Sequence, residues 1–328
     1  MVRDPVKAAF GGDEDLYDVA EWDARSALDR LSVGIYGGLR ASFHVLLIAL
    51  ALVLFAVQLS FAALLVADRP GLGALALASA VPALLLVAYA WYGDPTRREP
   101  LAALAITFVL AVLFASFAAL INSVAQLAFN LIPVVGTVLF FFLVVGPIEE
   151  TVKWLAIRVY AYKGDAFNTV VDGAVYGAVA GLGFAFIENA IYIVQGYTNA
   201  AGMEGVQQIQ RAALTATGRA FVGPGHVLYS AWAGYYLGLA KFNPDDWGPI
   251  VVKGLLIAAA IHATYNSLVS YLPQLLPSWN FLYLIGFVLV FDGVVGYALY
   301  RKVKRYQDYY DRTDATERTE AAEATTEG

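Results

Sequence analysis

The stretch VVGPIEETVKWLAIR, residues 144–158, sets Glu149, Glu150 and Lys153 between apolar flanks. A charged side chain at the centre of a bilayer costs about 2.5–3.5 kcal/mol on insertion scales, so each such group needs a reason. Asp172, Glu188 beside Asn189, His226, His262 with Asn266, and Asp292 interrupt other apolar runs in the same way. A glutamate in a low-dielectric cavity can serve as general base or acid. A histidine can share the proton or hold a water, and a His/Asn pair offers donors to an oxyanion. Alternatively, Glu188, His226 and His262 make a donor set for Zn2+, since His/Glu sets with an open position are a common catalytic arrangement. Either chemistry suits hydrolysis of an amide inside a membrane.

Spacing sharpens the set. His262 and Asn266 are i and i+4 and share a helix face. Glu149 and Lys153 have the same spacing, in the acid-before-base order that favours pairing. If they neutralise one another, Glu150, about 100° round the helix, is left without that partner. One of the two glutamates is then free to activate water, and Glu149 is the one we favour. Asn189 reads first as an amide bridging helices. Asp172 reads as a group that orders the entry to its span or pairs with Lys163, and Asp292 as a partner for Lys302 or a neighbouring helix.

These side chains need helices that cross a membrane to carry them. The chain is 59% hydrophobic and 15% charged, with mean hydropathy +0.63. Soluble domains are about 45–50% apolar and about 25% charged, so composition points to an all-α, polytopic membrane protein. A β-barrel is excluded because its strands would alternate apolar and polar residues. We read about eight transmembrane helices, near residues 43–67, 72–93, 101–123, 137–160, 169–195, 219–240, 249–272 and 280–300. Before them lies an acidic segment, 1–42, with a possible amphipathic helix. After the 43–300 membrane domain, 301–328 is a basic stretch running into a tail too polar to order by burial.

Arg97, Arg98, Arg158, Lys163, Lys241 and the basic cluster from Arg301 fall in alternate loops, which puts both termini in the cytoplasm. Arg211 and Arg219, between the fifth and sixth spans, run against that bias. With no cysteine, thiolate sites and disulfides are excluded. The net charge of −6 offers no basic footprint for nucleic acid. The protein is expected in the cell membrane, in contact with lipid.

Four segments carry a resemblance: EETVK (149–153), GLGFAFIENAIY (181–192), GPGHVLYSAWAGYYLG (223–238) and IHATYNSL (261–268). In this order, on four successive spans, they resemble the motifs of the PrsW family. That family belongs to a group of glutamate-dependent intramembrane proteases that includes the CAAX prenyl endopeptidase. The likeness covers roughly residues 135–275. Where the prenyl endopeptidases have a histidine in the second motif, FAFIE ends in Glu188, which is the PrsW pattern. The resemblance implies that Glu149 or Glu150 activates the attacking water and that His226 assists the water or the leaving amine. It implies an oxyanion site at His262 and Asn266, and leaves Glu188 as water-orienting group, proton acceptor or ligand. A membrane-anchored protein would be the substrate. Two other readings use the same residues: an ion-coupled transporter, against which the lack of an internal repeat counts, and an inactive scaffold of the same fold.

Overall fold

The computed structural model describes residues 24–66, 69–94, 98–133, 135–276 and 278–326. The chain forms two compact units, Met1–Leu50 and Ala51–Gly328. Most of the acidic N-terminal segment, residues 1–23, lies outside the described residues. In the first unit, Ser26 and Asp29 cap each other's backbone N–H groups at 2.7 and 3.0 Å, and this box starts α1 (Ala27–Val66). The expected amphipathic piece and first span are thus one unbroken helix.

The second unit continues with α2 (Pro70–Tyr92), α3 (Leu101–Phe129), α4 (Gly136–Phe140) and a π-helical turn at Phe141–Val145. Then come α5 (Gly146–Val159), α6 (Val170–Thr198), α7 (Gly205–Lys241), α8 (Trp247–Leu275) and α9 (Phe281–Thr326). No strand occurs among the described residues. The protein is an all-helical, multi-pass membrane protein. Among the described residues, five helical segments are long and apolar enough to cross a bilayer: Pro70–Tyr92, Leu101–Phe129, Val170–Thr198, Pro244–Leu275 and Phe281–Tyr310. Two of the other expected spans fall on α4–α5 and α7. Their apolar signal is diluted by Glu149, Glu150 and Lys153 in one and by the glutamines and arginines of 207–219 in the other.

Two departures from expectation have physical causes. Helix α7 begins at Gly205, so Arg211 and Arg219 lie in a helix and not in a loop. Helix α9 runs on through the tail expected to be disordered. Between its threonines that stretch carries Ala, Glu, Arg and Lys, residues with high intrinsic helix propensity.

Helix α6 sits at the centre, buried on all sides from Val170 to Ala185. Its start is fixed by a capping box in which Thr169 and Asp172 bond reciprocally. Its glycines are divided between two neighbours. A Cβ on Gly173, Gly177 or Gly181 would run into the backbone oxygens of Gly234, Ser230 and His226 on α7. One on Gly183 would meet Phe108 on α3. Backbone-to-backbone approach of this kind is how membrane helices gain packing without a hydrophobic drive. It brings His226 directly against α6. Gly146, which opens α5 after the π turn, does the same against Ala259 on α8. Glu149 and Glu150 therefore start one turn from the contact, and His262 lies one turn beyond it on the other helix.

Candidate active site

Four helices bring their polar residues to one place. From α5 come Glu149, Glu150 and Lys153, all at most 5% exposed. Helix α6 supplies Glu188 and Asn189, α7 supplies His226, and α8 supplies His262 and Asn266. A cavity of about 600 Å³ is lined by Glu149, Glu188, Arg219, His226, His262 and Asn266, among others.

Lys153 pairs with Glu150, not with Glu149 as the i, i+4 spacing suggested. Its Nζ donates to Glu150 Oε1 at 2.6 Å. The reason is competition for Glu150: His262 Nδ1 lies 2.9 Å from the same oxygen, and Ser230 donates to Oε2 at 3.2 Å. Glu150 is thereby the fully buried hub of three helices. Lys153 also lies 3.0 Å from His226 Nδ1 and 4.4 Å over the Phe184 ring. An ammonium has three donors and no acceptor, and these partners use it fully.

The two imidazoles take opposite tautomers in this network. Lys153 can only donate, so His226 accepts at Nδ1 and carries its hydrogen on Nε2. That nitrogen is 2.9 Å from Glu188 Oε2. His262 instead donates from Nδ1 to Glu150, leaving a lone pair on Nε2. His262 Nε2 is 3.7 Å from Glu149 Oε2. The other Glu149 oxygen accepts from Asn122 on α3 at 3.0 Å, while Oε2 accepts no hydrogen bond.

Arg219 is the largest surprise of the site. Its guanidinium donates through Nε to Asn189 Oδ1 at 2.7 Å and through a terminal nitrogen to Glu188 Oε2, and lies over Tyr192. Asn189 in turn donates to Ser79 Oγ on α2 at 3.1 Å, so its bridging role also steadies Arg219. Asp292 is reached by the Tyr229 hydroxyl at 3.2 Å, the helix-neighbour reading and not the Lys302 one. Asp172 is not part of the cluster. It stands sixteen residues before Glu188, roughly 24 Å along α6, and its carboxylate accepts from the Asn168 and Thr169 backbone and the Thr169 hydroxyl.

Sequence reasoning missed Arg219, Asn122 and Ser230. Asn122 is an amide in an apolar helix and was detectable by the same cost argument as the carboxylates. Ser230 is one helical turn after His226. Arg219 was visible as the residue that broke the charge bias.

The donor chemistry fits a metal. Glu149, His226 and His262 offer ligand atoms all within 4.8 Å of one another. Two imidazoles and a carboxylate with a coordination position to spare match catalytic zinc sites. The geometry groups Glu149 with the histidines, whereas Glu188 is engaged by Arg219.

Comparison with known proteins identifies the family of the chain. The family described as PrsW family intramembrane metalloprotease matches residues 99–294. Protease PrsW of Shouchella clausii is 29% identical over 199 residues, covering 60% of this chain and 83% of the relative. Protease PrsW of Geobacillus kaustophilus is 30% identical over 228 residues, covering 70% and 90%. The Bacillus subtilis protein of that name is 29% identical over 219 residues, covering 64% and 90%. No solved structure matches the chain. With four motif-bearing helices converging on buried glutamates and histidines, and relatives of this name matched over most of their length, the chain belongs to the PrsW family of intramembrane proteases.

Proposed function

We propose that the protein hydrolyses a peptide bond in a membrane-anchored protein substrate, with Glu149 as the base that activates the attacking water. The observation that carries this is the unpartnered Oε2 of Glu149 facing the lone pair of His262 Nε2 across 3.7 Å. A water between two such atoms can donate to both, which orients its oxygen toward a carbonyl carbon in the cavity. Glu149 takes the proton as the C–O bond forms. The tetrahedral oxyanion is met by the Asn266 amide and by His262, once Glu149 has passed the water's proton across to its Nε2. The leaving nitrogen departs as an amine when that same proton is handed on to it, while His226, its Nε2 hydrogen held by Glu188 and its Nδ1 by Lys153, stays a fixed wall of the site. Glu150 and Lys153 hold the two rings in place and exchange nothing with the substrate.

If Zn2+ is bound, Glu149, His226 and His262 would hold it, and the ion would supply Lewis acidity toward water. The protein's own part in that case is orientation. Glu150 on His262 Nδ1 is the carboxylate–histidine support usual behind a metal ligand. His226 would ligate through Nε2 with its ring hydrogen moved to Nδ1, the nitrogen that Lys153 faces. Both termini would lie on the cytoplasmic side, as the charge of the loops suggests.

The test is cleavage of single-span membrane peptides by the purified protein in liposomes. Glu149→Gln should abolish cleavage while helicity and thermal unfolding stay close to wild type. Full activity in that variant would end the proposal. Activity lost to a chelator and restored by zinc would assign the water to the metal-assisted route.

A further inference from the structure

A second group of buried carboxylates lies away from the cavity, where the loop between α2 and α3 meets the start of α6. Asp94, Glu99 and Asp172 are 5%, 1% and 0% exposed, and their carboxylate oxygens lie within 4.8 Å of one another. Neither oxygen of Glu99 has a hydrogen-bond partner. A buried unpaired carboxylate is among the most costly groups a fold can hold, and here it is turned toward two others. Two described cations of this region, Arg98 and Lys241, are engaged by other groups. Arg98 lies over the Trp91 and Tyr92 rings, and Lys241 donates to the carbonyls of Tyr162 and Phe167.

We infer that Asp94, Glu99 and Asp172 form a binding site for a hard divalent cation, Ca2+, separate from the catalytic residues. Oxygen ligands suit Ca2+ at about 2.3–2.6 Å, so two ligands on one ion can stand up to about 5 Å apart. The spread of these oxygens falls inside that limit. Mg2+, at about 2.0–2.1 Å and reluctant to shed water, fits a dry site of this width less well. Asp172 has capacity for the ion despite its capping role. Its Oδ2 accepts two N–H bonds and Oδ1 only the Thr169 hydroxyl, which leaves a lone pair on Oδ1. The ion would tie the α2–α3 loop to the first turn of α6, the helix that carries Glu188 and Asn189. This inference does not depend on the proposed chemistry of the cavity.

The experiment uses full-length protein in detergent, stripped with a calcium chelator and titrated with Ca2+ alone. Equilibrium dialysis with radioactive calcium should show one saturable site, and calcium should raise the unfolding temperature. Glu99→Gln and Asp94→Asn should each lose the saturable site, while His262→Ala should keep it. Glu99→Gln should also unfold at a higher temperature than stripped wild type, because it removes a buried carboxylate. No saturable binding in wild type, or undiminished binding in Glu99→Gln, overturns the inference. So does loss of the site in His262→Ala, which would place the calcium in the cavity.

Discussion

His262 Nε2 lies 3.7 Å from Glu149 Oε2, an oxygen that accepts no hydrogen bond although the residue is buried. Every other oxygen of the Glu149–Glu150 pair has a donor. The adjacent glutamates therefore have different work, and the first prediction follows from that. Glu149→Gln replaces a base with an amide of nearly the same shape and should lower the cleavage rate by at least about a hundredfold. The unfolding temperature should shift little. Rates measured with a reconstituted peptide substrate, beside a thermal scan of the same preparation, check both halves.

Glu150 and Lys153 should behave in the opposite sense. Removing one partner of a buried ion pair leaves the other charge uncompensated, at a cost of about 3–5 kcal/mol. Glu150→Gln and Lys153→Met should each destabilise the protein strongly. The double variant should be less destabilised than the sum of the two. A double-mutant cycle on denaturant or thermal unfolding measures the coupling, and simple additivity would show that the 2.6 Å pair is energetically idle.

The difference between the two glutamates shows what could be read from sequence. The cost of charge in a bilayer singled out Glu149, Glu150, Glu188, His226 and His262 as a group, and the motifs fixed their order along the chain. The pairing within the group was not legible. Helical spacing favours Glu149–Lys153, but that rule knows only one helix. Ser230 and His262, arriving from α7 and α8, make Glu150 the better partner. Arg219 was misjudged for a related reason: a charge at the edge of an apolar run looks like a loop residue until α6 presents Glu188 and Asn189 to it.

Arg219 should be required for turnover through its hold on Glu188. Its planar fork reaches Asn189 and Glu188 together, which a lysine ammonium cannot reproduce from the same backbone position. Arg219→Gln should reduce kcat with little change in KM, and Arg219→Lys should recover part of it. Steady-state kinetics of both variants separates this from a general loss of folded protein, which would lower active-site concentration in both alike.

The α6–α7 crossing should tolerate no added atom where backbone meets backbone. A methyl on Gly181 would press into the carbonyl of His226, and overpacking of this kind costs about 1–3 kcal/mol. Gly181→Ala should therefore lower both stability and activity, since the displaced residue is in the site. Gly223 is the control: a Cβ there meets nothing closer than 3.6 Å. Gly223→Ala should leave the unfolding temperature close to wild type.

Burial, reinforced by Asp172 and Asp94, pushes the Glu99 carboxyl up from 4.5 to about 8. The sign of the resulting pH dependence is the reverse of that for a salt-bridged acid. Between about pH 4.5 and 8 the unfolded chain has released this proton and the folded one still holds it, so unfolding loses a proton and stability falls as pH rises. The contribution is complete below about 4.5 and gone once pH passes about 8. Chelator-treated wild type should therefore unfold at progressively lower temperature from pH 5 to pH 8. Glu99→Gln should flatten that part of the profile. A wild-type profile that rises over the same interval, or an unchanged slope in Glu99→Gln, would show that Glu99 does not titrate across this range.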